Sequence, residues 1–274
     1  MSSYVITTQN ITNSRRIRRF LSLLFTLASR DIRSRYRRSV LGPIWSILQP
    51  LILMVVFTLL RSLTGLREGG VTTDLMLTYT VLVPWQFFSN SINRAGPSVI
   101  GNGSIMRKIR VPREMFPVVG VMTAGFDFAM SALVLTGMVI ALGEPVNLLA
   151  LLWLPVLMIM LTLLALGVGM IIASFGVYRR DFILASGFFT QIWLYASPII
   201  YTLEEAQGQL SETWQTVYLL NPTVGILEGF RSVLADGTAP DLDLLATSVP
   251  ATLIFFLLGW GIYRYMSQYF ADVL

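Results

Sequence analysis

Apolar and charged residues along this chain separate into long blocks instead of alternating. Six stretches with little or no charge are each long enough to cross a bilayer core about 30 Å thick as a helix rising about 1.5 Å per residue. Charged and turn-forming residues lie between them. The pattern predicts an all-α integral membrane protein, one transmembrane domain over 1–274, with spans at about 40–60, 75–93, 116–142, 149–175, 182–202 and 245–264.

An arginine-rich segment, residues 15–38, precedes the first apolar stretch. It holds an apolar cluster from Phe20 to Leu27 between two groups of arginines, which is typical of an amphipathic helix in the headgroup layer. A solvated basic tail is the alternative, and it would leave the apolar cluster exposed. Charge stops after Arg38, so we expect the interface helix to turn into the first span at Gly42-Pro43.

The segment 205–235, between the last two spans, contains two short helical patterns. Ser211 is placed to cap a helix that runs to about Leu220, and Asn221-Pro222 is placed to start a second one. We expect the second helix to run to about Leu234. Neither helix is long enough to cross alone, so we predict a re-entrant hairpin on the extracytoplasmic side. Two helices lying on the membrane surface are the alternative.

The basic residues are distributed unevenly between the loops. With six spans, both termini and the loop after the second span lie on one side, together with most lysines and arginines. Only Arg61, Arg67 and Arg231 would lie opposite, so the positive-inside rule predicts cytoplasmic termini. A net charge of +5 would also suit a nucleic-acid-binding protein. Because the basic residues adjoin apolar runs, we expect no nucleic-acid partner.

Composition restricts the chemistry of the chain. With 54% hydrophobic and 13% charged residues, the chain is too apolar for a soluble fold. It has no cysteine and no histidine, which excludes disulfides, thiolate metal sites and a histidine general base. Lys108 is the only lysine and follows Arg107, so no phosphate-binding Gly-Lys-Ser/Thr sequence exists. We therefore expect no cofactor, no metal site and no enzyme activity in this chain alone. If ATP drives it, another chain binds the ATP.

One carboxylate, Asp127, lies deep in a predicted span. It is either a substrate contact or an interhelical hydrogen-bond partner, and the sequence leaves both open. Aromatic side chains near the spans either pack and anchor at the interface or face a pathway where flat rings stack on sugars. The channel-lining candidates are Trp85, Phe87, Phe88, Asp127, Trp193 and Tyr195.

Four stretches resemble the permease subunit of ABC exporters that carry lipid-linked polysaccharide, the O-antigen and teichoic acid type. They are Arg37 to Trp45 (RRSVLGPIW) through Gln49-Pro50; Ile105 to Glu114 (IMRKIRVPRE); Arg180-Asp181 with Ser197 to Tyr201 (SPIIY); and Leu220-Asn221-Pro222 with Phe230-Arg231. Together, in this order, they are specific. Val111 departs from the family, which often has an aromatic residue there.

The resemblance implies a subunit of the bacterial inner membrane that homodimerises and pairs with two ATPase chains, which hold ATP and Mg. Residues 15–38 would be the gate helix and 205–235 the re-entrant gate. Residues 98–112 would be the cytoplasmic coupling helix. Its ATPase-facing residues would be Ile100, Asn102, Ile105, Met106, Arg107, Lys108 and Ile109. The substrate would be polysaccharide on undecaprenyl pyrophosphate. The arginines placed to meet that pyrophosphate are Arg33, Arg35, Arg37 and Arg38.

Two other classes compete with this interpretation. A permease of similar architecture that exports a drug or small lipid is the nearest one, although it usually lacks the Leu-Gly-Pro-Ile-Trp and Ser-Pro-Ile-Ile-Tyr stretches. A lipid-modifying membrane enzyme would need clustered carboxylates or histidines, whereas the acids between residues 204 and 243 are scattered singly.

Overall fold

A computed structural model describes residues 3–37, 39–65, 70–108, 111–142 and 147–273. Every regular element in these ranges is a helix, which confirms the all-α prediction. The helices are α1 (Ser3–Tyr36), α2 (Ile44–Thr64), α3 (Val71–Ala95), α4 (Ser98–Gly101), α5 (Gly103–Lys108), α6 (Met115–Leu142), α7 (Leu148–Leu151), α8 (Trp153–Tyr178), α9 (Asp181–Tyr195), α10 (Leu203–Gln209), α11 (Glu212–Leu219), α12 (Pro222–Leu234), α13 (Leu242–Ser267) and α14 (Phe270–Val273).

The chain turns between α1 and α2 at an elbow, residues 39–43. Gly42 has φ of 52°, a left-handed backbone conformation that is unfavourable for residues with a side chain. Its N–H donates a hydrogen bond to the Ser39 hydroxyl over 3.1 Å. Pro43 then stands directly before the first residue of α2, where its fixed φ suits a helix start. The predicted change of direction at Gly42-Pro43 is therefore present.

The centre of the fold is α3, packed between α6 and α8. Tyr79, Leu82, Phe88 and Ile92 are fully buried along its length. On the side away from α3, α8 packs extensively against α13. A Cβ added to Gly259 would lie 2.1 Å from the carbonyl oxygen of Gly167, so only glycine permits this approach.

Four segments of the described residues are long and apolar enough to cross a membrane: Ile44–Leu63, Met115–Ala141, Leu148–Tyr178 and Leu242–Ser267. The predicted span at 75–93 is helical throughout and the one at 182–202 is helical as far as Tyr195, but neither is among these four segments. The first, in α3, is shielded by protein and carries polar residues such as Gln86. The second, in α9, has only 15 residues, about 22 Å of helix. Six spans therefore stay a prediction.

The segment between α9 and α13 contains the two helices predicted from Ser211 and Asn221-Pro222. α12 is buried over most of its length, whereas α11 has no buried residue. An additional short helix, α10, precedes them and begins with a capping box between Thr202 and Glu205.

Helices α4 and α5 form the helical part of the predicted coupling segment and pack on a cluster of buried apolar residues. Val99 and Phe270 are fully buried there, and the rings of Phe270 and Tyr263 lie 5.5 Å apart. The Tyr263 hydroxyl donates to the Arg113 carbonyl over 2.7 Å. The C-terminal helices thus support the loop between α3 and α6.

Candidate functional site

A polar cavity of about 240 Å³ lies where the elbow meets α3 and α6. Charged, amide, hydroxyl and aromatic groups line it together, which distinguishes it from the apolar surroundings. The lining residues are Arg35, Tyr36, Ser39, Trp45, Ser46, Gln49, Val83, Gln86, Phe87, Asn90, Arg94, Asp127, Phe128 and Ser131. Such a mixture can bind an anion or a hydroxyl-rich ligand.

The carboxylate of Asp127 is the centre of this cavity's charged groups. The Tyr36 hydroxyl donates to Oδ1 over 2.7 Å, and the Arg35 guanidinium donates to Oδ2 over 3.2 Å. Arg94, at the end of α3, donates to the same Oδ2. We call these four residues the Asp127 cluster. It joins α1, α3 and α6, so Asp127 is an interhelical hydrogen-bond partner, one of the two roles the sequence left open.

The Asp127 cluster carries more positive than negative charge. Two guanidinium groups share one carboxylate, whose side chain is only 10% exposed. Nη1 of Arg94 is buried and has no hydrogen-bond acceptor among the described residues. The cavity is therefore electropositive, and Arg94 retains one unused donor.

Two further contacts position α1 beside this cavity. Leu24 and Ala28 pack against Met115 and Val119 at the start of α6. Nearby, Nη2 of Arg30 donates to the Asn102 side-chain oxygen over 2.6 Å. Because Asn102 lies between α4 and α5, α1 is attached both to the predicted coupling segment and to the Asp127 cluster.

Burial, followed by the hydrogen bond to Asp127, raises the pKa of Tyr36 to about 12. The phenol therefore stays protonated at neutral pH and acts as a donor. Tyr36 thus stabilises the ionised form of its carboxylate partner.

Two of the recognised sequence stretches meet at the other end of the fold. The Asn221 side chain accepts a hydrogen bond from Trp193 Nε1 and donates one to the Ala196 carbonyl, both over 2.8 Å. Arg231 forms an ion pair with Glu228 over 2.7 Å and donates to the Pro198 carbonyl over 3.0 Å. These contacts fix α12 against the Ser-Pro-Ile-Ile-Tyr turn.

The predicted channel-lining residues occupy different environments. Phe87 and Asp127 line the polar cavity. Trp85, Phe88 and Trp193 are buried within the chain, where the Phe88 and Trp193 rings lie 5.1 Å apart. Tyr195, at the end of α9, is exposed. The structure therefore brings only two of the six to one cavity.

The predicted arginines and coupling residues are also separated. Arg33 and Arg35 are exposed on α1, Arg37 is exposed directly after it, and of these three only Arg35 reaches the polar cavity. Asn102 is buried, whereas Ile100, Ile105 and Met106 are half-buried. All of Arg38 and Ile109, and the side chains of Arg107 and Lys108, lie outside the described part of the protein.

The sequence interpretation missed Arg94 and Arg30 as site residues. It ended the second span at residue 93 and so left Arg94 in the following loop, although an arginine directly after an uncharged run marks a cation at the end of a helix. Arg30 pairs with Asn102 and Arg94 pairs with Asp127, and in both cases the two residues are far apart in the sequence. No local sequence pattern predicts either pair.

The comparisons with known proteins agree with this architecture. Residues 22–235 match the ABC-2 type transporter family. Two relatives are each named O-antigen export system permease protein RfbA. The one from Myxococcus xanthus is 24% identical over 94% of this chain and 97% of its own length. The one from Klebsiella pneumoniae is 23% identical over 92% and 95%. With most of its length matched and several apolar helices, the chain is a multi-pass membrane protein that belongs to the ABC-2 type transporter family.

Proposed function

We propose that this chain is the transmembrane subunit of an ATP-driven exporter of polysaccharide linked to undecaprenyl pyrophosphate. The substrate would move from the cytoplasmic to the outer face of the bacterial inner membrane. The observation that carries the proposal is the likeness, over more than nine-tenths of both chains, to relatives named as O-antigen export permeases. The polar cavity supports it, because it offers cations for a pyrophosphate and aromatic and amide groups for sugars.

The proposed assembly contains two copies of this chain and two ATPase chains, which hold ATP and Mg. Both termini would be cytoplasmic, with six spans per copy and the translocation channel between the copies. Residues 98–112 would dock on the ATPase, and the half-buried Ile105 and Met106 are suited to an interface that also packs inward. Residues 15–38 would be the gate helix in the headgroup layer, and 205–235 the re-entrant gate.

Within this assembly, the residues that contact the ligand on the cytoplasmic side would be Phe87 and Asp127 of the polar cavity together with Arg33, Arg35, Arg37 and Arg38. Exposed Tyr195 remains a channel-lining candidate. Trp85, Phe88 and Trp193 would act indirectly, because their rings are buried among the chain's own helices. Their proposed role is to fix the walls behind the channel surface.

A drug or small-lipid exporter of the same family is the alternative. An apolar groove of about 560 Å³ favours it, since its lining, which includes Pro84, Pro155 and Phe230, suits a hydrocarbon ligand. The groove equally suits a membrane lipid tail.

The test is ATP hydrolysis by the purified complex of this chain with its ATPase, reconstituted in lipid. We expect stimulation by undecaprenyl-linked glycan and none by a drug panel. Charge-neutral replacement of Arg33, Arg35, Arg37 and Arg38 should reduce export at normal protein levels. Stimulation by drugs alone would establish the alternative, and unchanged export in the four-arginine variant would remove the role given to these residues.

A further inference from the structure

We infer that the polar cavity binds a phosphate group through Arg94 and Arg35, and that Asp127 occupies the ligand's place until phosphate displaces it. This inference rests on the proposed function and adds to it the residues that receive the anion. Its starting point is the Arg94 guanidinium. Nη2 donates to Asp127, while Nη1 is buried without an acceptor among the described residues.

A buried donor without an acceptor is unfavourable, and an anion that draws the Arg94 guanidinium into the cavity would satisfy it. The surroundings favour an anion, because two arginines share the single Asp127 carboxylate. The neutral groups around them include the amides of Gln49 and Asn90. The cavity volume of about 240 Å³ is about eight times the ~30 Å³ that a water molecule occupies in the liquid, which is room for a phosphate group.

Binding of phosphate would change the attachment of α1. Arg35 and Tyr36 hold the end of α1 on α6 through their hydrogen bonds to Asp127. A phosphate that accepts from Arg35 and Arg94 takes both guanidinium groups from the carboxylate, since charge-assisted bonds to phosphate are strong and often bidentate. The end of α1 then keeps the Tyr36 bond to Asp127 as its one direct bond to the cluster, while Arg35 is joined to Arg94 on α3 only through the ligand. Because a direct ion pair is replaced by a bridge that dissociates with the ligand, ligand binding loosens the attachment of α1 to α6.

The natural absence of cysteine allows a clean measurement of this loosening. A nitroxide at Ser34→Cys, an exposed position on α1, would report the mobility of the helix in the full complex in phosphatidylcholine nanodiscs. Titration with inorganic pyrophosphate should increase that mobility. Asp127→Asn should be mobile without ligand and bind pyrophosphate about 10-fold more tightly, because the internal competitor is gone. Arg94→Gln should bind about 10-fold or more weakly, with α1 remaining immobile.

The two variants must therefore act in opposite directions. Arg19→Gln, an exposed arginine of α1 outside the cavity, is the control for net charge and should respond as the unmodified chain does. If Asp127→Asn weakens binding as Arg94→Gln does, Asp127 is only structural and the inference is wrong. Unchanged affinity in Arg94→Gln would also overturn it, and this variant retains the Asp127 contacts to Arg35 and Tyr36.

Two sources could supply the phosphate, and separate arms distinguish them. Mobilisation of α1 in phosphatidylglycerol nanodiscs without pyrophosphate would identify a phospholipid headgroup as ligand. Mobilisation in phosphatidylcholine nanodiscs only after addition of a prenyl pyrophosphate would identify the lipid carrier. If pyrophosphate acts as expected but lipid-linked glycan never stimulates ATP hydrolysis, the export proposal fails and the phosphate site stands.

Discussion

The bond between Arg30 and Asn102 predicts that α1 and the coupling segment act together. Two substitutions, Arg30→Met and Asn102→Leu, each remove one partner, and the double variant completes a thermodynamic cycle. Because Arg30 also bonds Asp31 and Asn102 also bonds Ser98, the double variant should lose less than the sum of the two single losses, by the coupling energy of the pair. The quantity to compare is the fold stimulation of ATP hydrolysis by substrate in the reconstituted complex.

The geometry sets the size of the effect. The Arg30 to Asn102 distance of 2.6 Å indicates a charge-assisted bond. However, the Arg30 side chain is 49% exposed and the same Nη2 also donates to Asp31 over 2.8 Å. Solvent and the second partner reduce the coupling energy to about 1 kcal/mol, or about a fivefold change.

A variant that keeps a hydrogen-bond acceptor at position 102 serves as the control. Asn102→Asp keeps an acceptor for Arg30 and should retain more stimulation than Asn102→Leu, although both lose the bond from the Asn102 amide to the Ser98 carbonyl. Equal losses in Asn102→Asp and Asn102→Leu, together with strictly additive effects of Arg30→Met and Asn102→Leu, would mean that the two residues work independently. Attachment of α1 to the coupling segment would then have no part in ATPase stimulation.

Three further predictions concern stability. Gly259→Ala should destabilise the detergent-solubilised chain by about 1–3 kcal/mol in thermal unfolding, because the added Cβ meets the Gly167 backbone. The control is Gly261→Ala on the same helix, whose Cβ meets nothing within 4 Å and which should be neutral or stabilising. Equal effects of the two substitutions would contradict the close approach of α8 and α13. Asn221→Leu should lower the free energy of unfolding by about 2–4 kcal/mol and accelerate proteolysis near α12, since it leaves the Trp193 indole N–H without its acceptor. A proteolysis rate equal to that of the unmodified chain would refute this. The raised pKa of Tyr36, about 12 against 10.0 unfolded, means that its contribution to stability is complete below pH 10 and is lost as pH rises through about 12. Tyr36→Phe should remove that part of the pH dependence, and an unchanged slope would show that other groups cause it.

Local sequence signals predicted some elements of the fold closely. Asn221-Pro222 supplies a cap and a proline at the first helical position, and α12 runs from Pro222 to Leu234 as expected. The elbow at Gly42-Pro43 was also readable, because charge, glycine and proline change together there. By contrast, α9 ends at Tyr195, short of the expected limit near residue 202, since the turn at Ser197-Pro198 interrupts an apolar run.

The candidate site depended on contacts that no local pattern contains. Asp127 was recognisable as an unusual residue in a span, yet its partners Arg35 and Arg94 are separated from it by 92 and 33 positions. Burial of Trp85 and Phe88 was equally hidden, because an aromatic residue in a membrane helix can face lipid, a channel or the protein interior. These outcomes depend on which helix faces meet, and composition does not determine that.

The contact between Gly167 and Gly259 divides the protein into parts that respond differently to force. Separating α8 from α13 would open a void in hydrocarbon, which neither water nor lipid fills well at that spacing. By contrast, α1 is held by hydrogen bonds that water or lipid headgroups can replace one at a time and by the small apolar contact of Leu24 and Ala28 with α6, so its detachment proceeds through smaller, reversible steps. During a transport cycle, α8 and α13 would therefore move as one body and serve as the reference against which α1 changes position.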